Sequence, residues 1–267
     1  MESRTDRGMS PDTVVIGTGN VATDIARFLA SAGRLKAVAA RSVDKARAIA
    51  SRHPGVVSAD LYNAPLPEAS FYVCAVTDPV IEHIASSIPD NGAVWLHTAG
   101  SVSIDIWRGH RLRYGILYPL QTMSAMRPVD PSCVPWLIEA DSPATLALVD
   151  DLAQSLGGYC VREVSSPQRA MLHIAAVFSC NFTNYLLGEA FDFLDLHGVD
   201  PSILKPLVSH TIDNAFSGTS PHLLQTGPAV RGNKAVIETH ISRLPAAAAE
   251  TYRFLSDKIY RKHHPEQ

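Results

Sequence analysis

The residues Gly17-Thr-Gly19-Asn-Val-Ala22 stand directly after an apolar run, Thr13-Val-Val-Ile16, and directly before a helix-like stretch, Thr23 to Ala30. Glycine at 17 permits a tight turn, glycine at 19 lets backbone approach a ligand closely, and the small Ala22 lets helix pack on strand. Helix N-terminal amides and the macrodipole then favour an anion, so the chemistry this spacing suits is binding of a dinucleotide pyrophosphate, with Thr18, Asn20 and Val21 of the same loop among the cofactor contacts. On the loop alone, a glycine-rich turn in some other α/β protein stays open. A methyltransferase loop would usually carry an acidic residue at the end of the first strand, and this chain has none there.

The next apolar run, Leu35 to Ala40, reads as a second strand and ends in Arg41-Ser42. An acidic residue at that place would accept hydrogen bonds from a ribose 2′-hydroxyl; arginine instead pairs with a 2′-phosphate. The expected cofactor is therefore NADP. Ser42 adds a hydroxyl, and Lys45 and Arg47 further positive charge; the alternative is that Arg41, Lys45, Arg47 and Arg52 form a solvated helix face, a fair account of Arg47 and Arg52, whereas the place of Arg41 after the strand favours the phosphate.

The elements that must position these groups follow a βαβ rhythm. Val43 to Arg52 reads as a helix and Val56-Val57-Ser58 as a short strand. Phe71 to Val76 is apolar throughout, as suits a parallel strand buried on both faces. It ends in Thr77-Asp78-Pro79, so Val76, Thr77 and Asp78 are expected to meet the cofactor, with proline opening the helix Val80 to Ile88. Strands are expected at Ala93–His97, Tyr114–Tyr118, Trp136–Glu139 and Tyr159–Arg162, and a helix from Ala144 to Leu156. This is a Rossmann-type doubly wound parallel sheet, over residues 10–164.

Beyond Ser165 strand-like runs stop, and an all-α domain is expected over 165–262. Its first helix, Gln168 to Phe193, is strongly apolar yet carries His173, Asn181 and Asn184. At 100° per residue these lie at about 0°, 80° and 20°, one polar stripe. Polar groups inside a helical core cost free energy unless bonded, so the stripe suits either a ligand cleft or interhelical hydrogen bonds. Helices are also expected at Ile203–Phe216 and Pro245–Tyr260, with a loop at Thr226–Asn233.

With 267 residues, 46% of them hydrophobic, 18% charged, and a formal charge of −3, the chain has no basic footprint for nucleic acid. Its 4 cysteines lack zinc or C-x-x-C spacing, so no metal is expected and a reducing cytoplasm fits. The stretch from Met1 to Asp12 has no apolar signal core, and no run approaches the roughly twenty apolar residues of a spanning helix. Secretion and membrane insertion are not expected.

Five motifs in order, Gly17 to Ala22, His97 to Ser101, Gly115 to Thr122, His173 to Asn181 and Gly227 to Asn233, resemble a bacterial group of NADP-linked oxidoreductases. That group joins a Rossmann-like N-terminal domain to a helical C-terminal domain of unknown function. Its plan is similar to pyrroline-5-carboxylate reductase, ketopantoate reductase and the β-hydroxyacid dehydrogenases, which bind substrate between the domains. The resemblance implies hydride transfer between NADPH and a small keto, hydroxy or imino acid, in a homodimer paired through the helical domains. In β-hydroxyacid dehydrogenases a lysine, with an asparagine four residues on, moves the proton and binds substrate. Here His173 stands in the lysine's place, Val177 follows four on, and Asn181 one turn later. Histidine suits proton transfer, and Asn181 is assigned to polarising the electrophile. His97, Ser101, Tyr118, Gln121, Asn184 and Arg231 are assigned to substrate, Arg231 for a carboxylate; the open alternatives are that His97 caps its loop, Tyr118 is a core aromatic with a satisfied hydroxyl, and Arg231 holds its own turn. The rival reading is a nucleotide-responsive regulator without turnover, motivated by the missing lysine; a deazaflavin as hydride partner is a third.

Overall fold

The computed structural model describes residues 12–265. The expected polar N-terminal stretch before Asp12 and the first two residues of the expected α/β domain lie outside them. Eight strands form one sheet: β1 Thr13–Ile16, β2 Leu35–Ala40, β3 Val57–Asp60, β4 Phe71–Cys74, β5 Val94–His97, β6 Arg113–Pro119, β7 Pro135–Ala140 and β8 Cys160–Glu163. Their order is β3-β2-β1-β4-β5-β6-β7-β8. The pairings are parallel except β6 with β7, which run antiparallel. The sheet is thus mostly parallel rather than wholly so; β6 and β7 are joined by a long loop with no crossover α-helix, and antiparallel neighbours need none.

β1, β4 and β5 are buried at every position, which is why they read as unbroken apolar runs. Helices α1 Asn20–Ser31, α2 Val43–Ala50, α3 Asp78–Ser87 and α4 Pro143–Ser155 flank the sheet. One face buries Val15, Phe28, Leu96, Trp136 and Val149, the other Val14, Tyr72, Trp95 and Trp107. Tyr72 stacks on Trp95 with centroids 4.5 Å apart.

The helix that follows is α5 Ser166–Ala176, opened by a capping box between Ser165 and Gln168. Arg169 anchors it. This guanidinium is fully buried, donates to the Glu139 carboxylate at 2.6 Å, to the Ala99 carbonyl at 3.2 Å and to the Val102 carbonyl. Glu139, on β7, also accepts from the Ser166 amide at 2.9 Å and hydroxyl at 2.7 Å. One cation therefore ties β7, the loop after β5 and the first turn of α5 together.

After α5 the backbone passes through a π-helical segment, Val177–Phe182, into α6 Thr183–Asp195. The π segment widens the hydrogen-bond step to i→i+5, so the polar stripe reckoned at 100° per residue does not carry through. Compact units divide here, Met1–Cys180 and Asn181–Gln267, and not at Ser165, because Arg169 binds the start of the helix to the α/β unit. Taken by itself, the second unit holds α6, α7 Lys205–Ala215, α8 Lys234–Ile241 and α9 Ala246–His263. Helix α8, capped by Asn233, was not expected; its short apolar pattern is hidden among polar residues.

Ser166–Asp195 is by length and mean hydropathy, 1.2, apolar enough to cross a membrane. This departs from the expectation that no run approaches that limit, since π and α segments join into one helix of 30 residues. Removing one partner of a buried ion pair typically costs about 3–5 kcal/mol. Arg169→Leu is accordingly expected to lower unfolding free energy by about 3 kcal/mol or more, read from urea denaturation.

Candidate functional site

The loop between β1 and α1 shows why its residue types are required. Gly17 adopts φ 129°, and a Cβ there would overlap the Ala75 carbonyl. Gly19 is the N-cap of α1, extended and without a side-chain cap, and the first turn holds no acidic residue. Nothing lies within 4 Å of where a Gly19 Cβ would stand. The first-turn amides of a 12-residue helix thus face open space that can admit an anion. Ala22 is fully buried, at the packing contact its size predicted.

That open space is part of a cleft of about 830 Å³, in the range of small-molecule sites. Gly17, Thr18, Gly19, Asn20 and Val21 form one wall, and Val76, Thr77 and Asp78 the adjoining lip. Arg41, Ser42 and Lys45 line the end beyond β2. Every residue expected to meet a cofactor, Ala22 apart, therefore borders one cleft. Ser42 also caps α2, its hydroxyl accepting from the Lys45 amide at 3.5 Å. Arg47 pairs with Asp44 at 2.7 Å, whereas Arg41 and Lys45 have no ion-pair partner among the described residues.

Two aromatic cleft residues escaped the sequence reading. Tyr62, just past β3, and His83, on α3, pack with ring centroids 5.4 Å apart and an interplanar angle of 58°. They form an aromatic wall suited to a planar base. The signal available was Tyr62's place after a strand end; a lone histidine within a helix gives none.

A second cluster gathers at the C-terminal ends of β5 and β6. Ser101 donates to the Asp78 carboxylate at 2.8 Å, joining the loop after β5 to the cofactor-cleft lip. Tyr118, at the end of β6, lies with its hydroxyl 3.0 Å from His173 Nδ1, the rings edge to face at 81°. Gly100 backs the imidazole: a Cβ there would stand 2.6 Å from His173 Cγ. Burial pushes the Tyr118 phenol above its ordinary range, and the Arg169 cation opposes that rise.

His97 is not among the surfaces offered to a ligand. It is fully buried, its Nδ1 accepts from the Ala99 amide at 3.2 Å, and burial with Arg169 beyond it pushes its pKa down to about 3. The expected substrate contact is thus corrected to a neutral core histidine that shapes the loop; an apolar strand ends in the same residue type whichever way it points. Gln121 spends its amide on the Cys133 carbonyl at 3.1 Å and the Thr122 amide at 2.9 Å, bracing its own loop. Asn181, Asn184 and Arg231 belong to the second unit and are exposed. Among the described residues no cluster of His, Cys, Asp or Glu is arranged to hold a metal.

A family defined by a domain of unknown function, DUF2520, matches residues 134–259. No curated protein matches the chain in sequence. Among solved structures, BF3122 from Bacteroides fragilis, provisionally named an NADP oxidoreductase, is 33% identical, covers 94% of this chain and 98% of its own, and superposes with a TM-score of 0.84. A reductive aminase from Aspergillus terreus, solved with NADPH4, cyclohexanone and allyl amine, shares the fold at 13% identity and TM-score 0.68, over 95% of each chain. 1-Pyrroline-5-carboxylate reductase from Streptococcus pyogenes does so at 16% identity and TM-score 0.63, over 93% of this chain and 97% of its own. With a third of its residues shared with BF3122 over nearly the whole of both chains, and the Rossmann-type cleft in place, this protein belongs to the bacterial family of NADP-linked oxidoreductases that carry a C-terminal domain of unknown function.

Proposed function

We propose that the chain is an NADP-dependent oxidoreductase acting on a small keto, hydroxy or imino acid. The observation that carries this reading is the cleft that runs from the uncapped α1 N-terminus to Arg41 and Lys45, because it offers one place for a pyrophosphate and a second for a 2′-phosphate. The residues fit that group: Gly17 and Gly19 leave room for pyrophosphate, Ser42 and Arg41 offer donors to the 2′-phosphate, and Thr77 and Asp78 border the far lip. When bound, the cofactor supplies or accepts a hydride.

The chain's own residues must then handle a proton, the electrophile and the substrate's charge. His173 is assigned to proton transfer, supported by its bond to Tyr118 beside the loop that reaches the cleft lip. Asn181 is assigned to polarising the electrophile, Asn184 and Ser101 to orienting the substrate, and Arg231 to its carboxylate. The names of the similar structures, reductive aminase and pyrroline-5-carboxylate reductase, support carbon–nitrogen as well as carbon–oxygen double bonds as targets. The regulator reading shares the cofactor and differs in having no turnover.

A homodimer paired through the helical unit is part of this reading. Among the described residues of Asn181–Gln267 only Ala229 is buried, while Leu196, Ile203, Leu207 and Phe216 are exposed. So much apolar surface suits a large, obligate type of interface. The apolar helix is assigned to that interface rather than to a bilayer, because Arg169 and His173 within it bond the α/β unit. A cytoplasmic location fits 4 cysteines, all of them free.

Titration calorimetry is expected to show NADPH binding at least tenfold tighter than NADH. In Arg41→Ala that preference should fall to near unity, the loss of one charge-assisted phosphate contact being about 1.5–3 kcal/mol; an unchanged preference would remove Arg41 from the site. Light scattering should give twice the chain mass, and a monomer would rule out the dimer.

A further inference from the structure

We infer that Tyr118 hands the proton to the reacting group and that His173 stands behind it as the supply, so the two side chains act as one relay. This rests on the oxidoreductase reading and refines which atom does the work. Three independent features hold the pair. The Tyr118 hydroxyl is 3.0 Å from His173 Nδ1, so one imidazole nitrogen is committed to the phenol. Gly100 presses its backbone on the ring, leaving no space for a side chain and no freedom for the imidazole to swing that way. One helical turn before His173, the buried Arg169 fixes both α5 and the loop bearing Gly100 through Glu139, Ala99 and Val102. Arg169 is thus a positioning residue.

The chemistry follows from burial. Tyr118 is only 8% exposed, and a phenol in that setting stays protonated at neutral pH and is a competent acid toward a developing alkoxide or amide nitrogen. After donation, a bare phenolate would be costly there. A proton on His173 Nδ1 removes that cost by crossing the 3.0 Å hydrogen bond to the phenol oxygen. As hydride reaches the carbon of a carbonyl or imine, the Tyr118 O–H bond breaks and an O–H or N–H bond forms on the product. As the phenolate oxygen takes the Nδ1 proton, Nε2 takes one from solvent, so the ring stays neutral and returns to its Nδ1–H form by exchange with water; the solvent proton is the one the reduction consumes. Run backwards, the same pair removes a proton from a hydroxy or amino group. Against His173 stand Tyr118 on β6 and the Gly100 backbone after β5, and one turn earlier on α5 lies Arg169, paired with Glu139.

The test uses the full chain with 15N-labelled histidine. In wild type, NMR should show neutral His173 carrying its proton on Nδ1, and in Tyr118→Phe the balance should move toward the Nε2–H form, with NADPH affinity within twofold of wild type. On a panel of 2-keto acids and cyclic imines, Tyr118→Phe and His173→Gln should each lower turnover by about 100-fold or more, and the double variant no further than either, as for residues working as a unit. An Nε2–H tautomer in wild type, no change in Tyr118→Phe, or full turnover by Tyr118→Phe would overturn the relay. Absence of NADPH binding by the wild type would instead contradict the oxidoreductase reading, since the tautomer is read on the free protein.

Discussion

A guanidinium sealed from water must be compensated by an ion partner and by acceptors for its remaining hydrogens, and Arg169 meets that requirement through Glu139 and the carbonyls of Ala99 and Val102. Those partners lie on β7, in the loop after β5 and, through Ser166, at the start of α5. The cost of burying this charge is offset only while all three keep their places. That constraint sets the distance between the end of β6 and the first exposed turns of α5, and so brings Tyr118 and His173 together. It also fixes the loop whose Ser101 reaches Asp78 at the cleft lip. One buried cation thereby links the loop at the cleft lip to the Tyr118–His173 pair.

The other end of the cleft obeys a simpler rule. A helix N-terminus left uncapped by a side chain carries unsatisfied amides, and α1 begins with glycine and no acidic residue in its first turn. Such an end stabilises an anion supplied from outside. Arg41 and Lys45, unlike Arg47, have no acidic partner among the described residues and stand at the far end of the same cleft. Charge and geometry agree in favouring a dinucleotide with a third phosphate.

Local rules made the sheet and the cofactor cleft readable. A buried parallel strand is apolar along its length, the turn after β1 demands glycine at φ 129°, and the residues after a strand end line the cleft; each leaves a mark on consecutive residues. What escaped depends on distant partners. Nothing local marks Arg169 as buried, because its compensation comes from Glu139, thirty positions away. His97 reads as a ligand contact until the core closes over it. The antiparallel turn from β6 to β7 leaves two ordinary apolar runs, and the π segment at Val177–Phe182 breaks a periodicity that a helical wheel assumes unbroken. Tyr62 and His83 meet only because the end of β3 and the first turns of α3 lie at the same edge of the sheet.

The central claim is that this chain moves hydride and does not merely bind NADP. NADPH deuterated at the transferable position of the nicotinamide ring, incubated with the protein and a panel of 2-keto acids and cyclic imines, tests it directly by mass spectrometry. Deuterium on the former carbonyl or imine carbon of at least one compound is the expected result. Tight binding of NADPH with no label transferred to any compound of either class would contradict it and leave a nucleotide-responsive binding protein in its place.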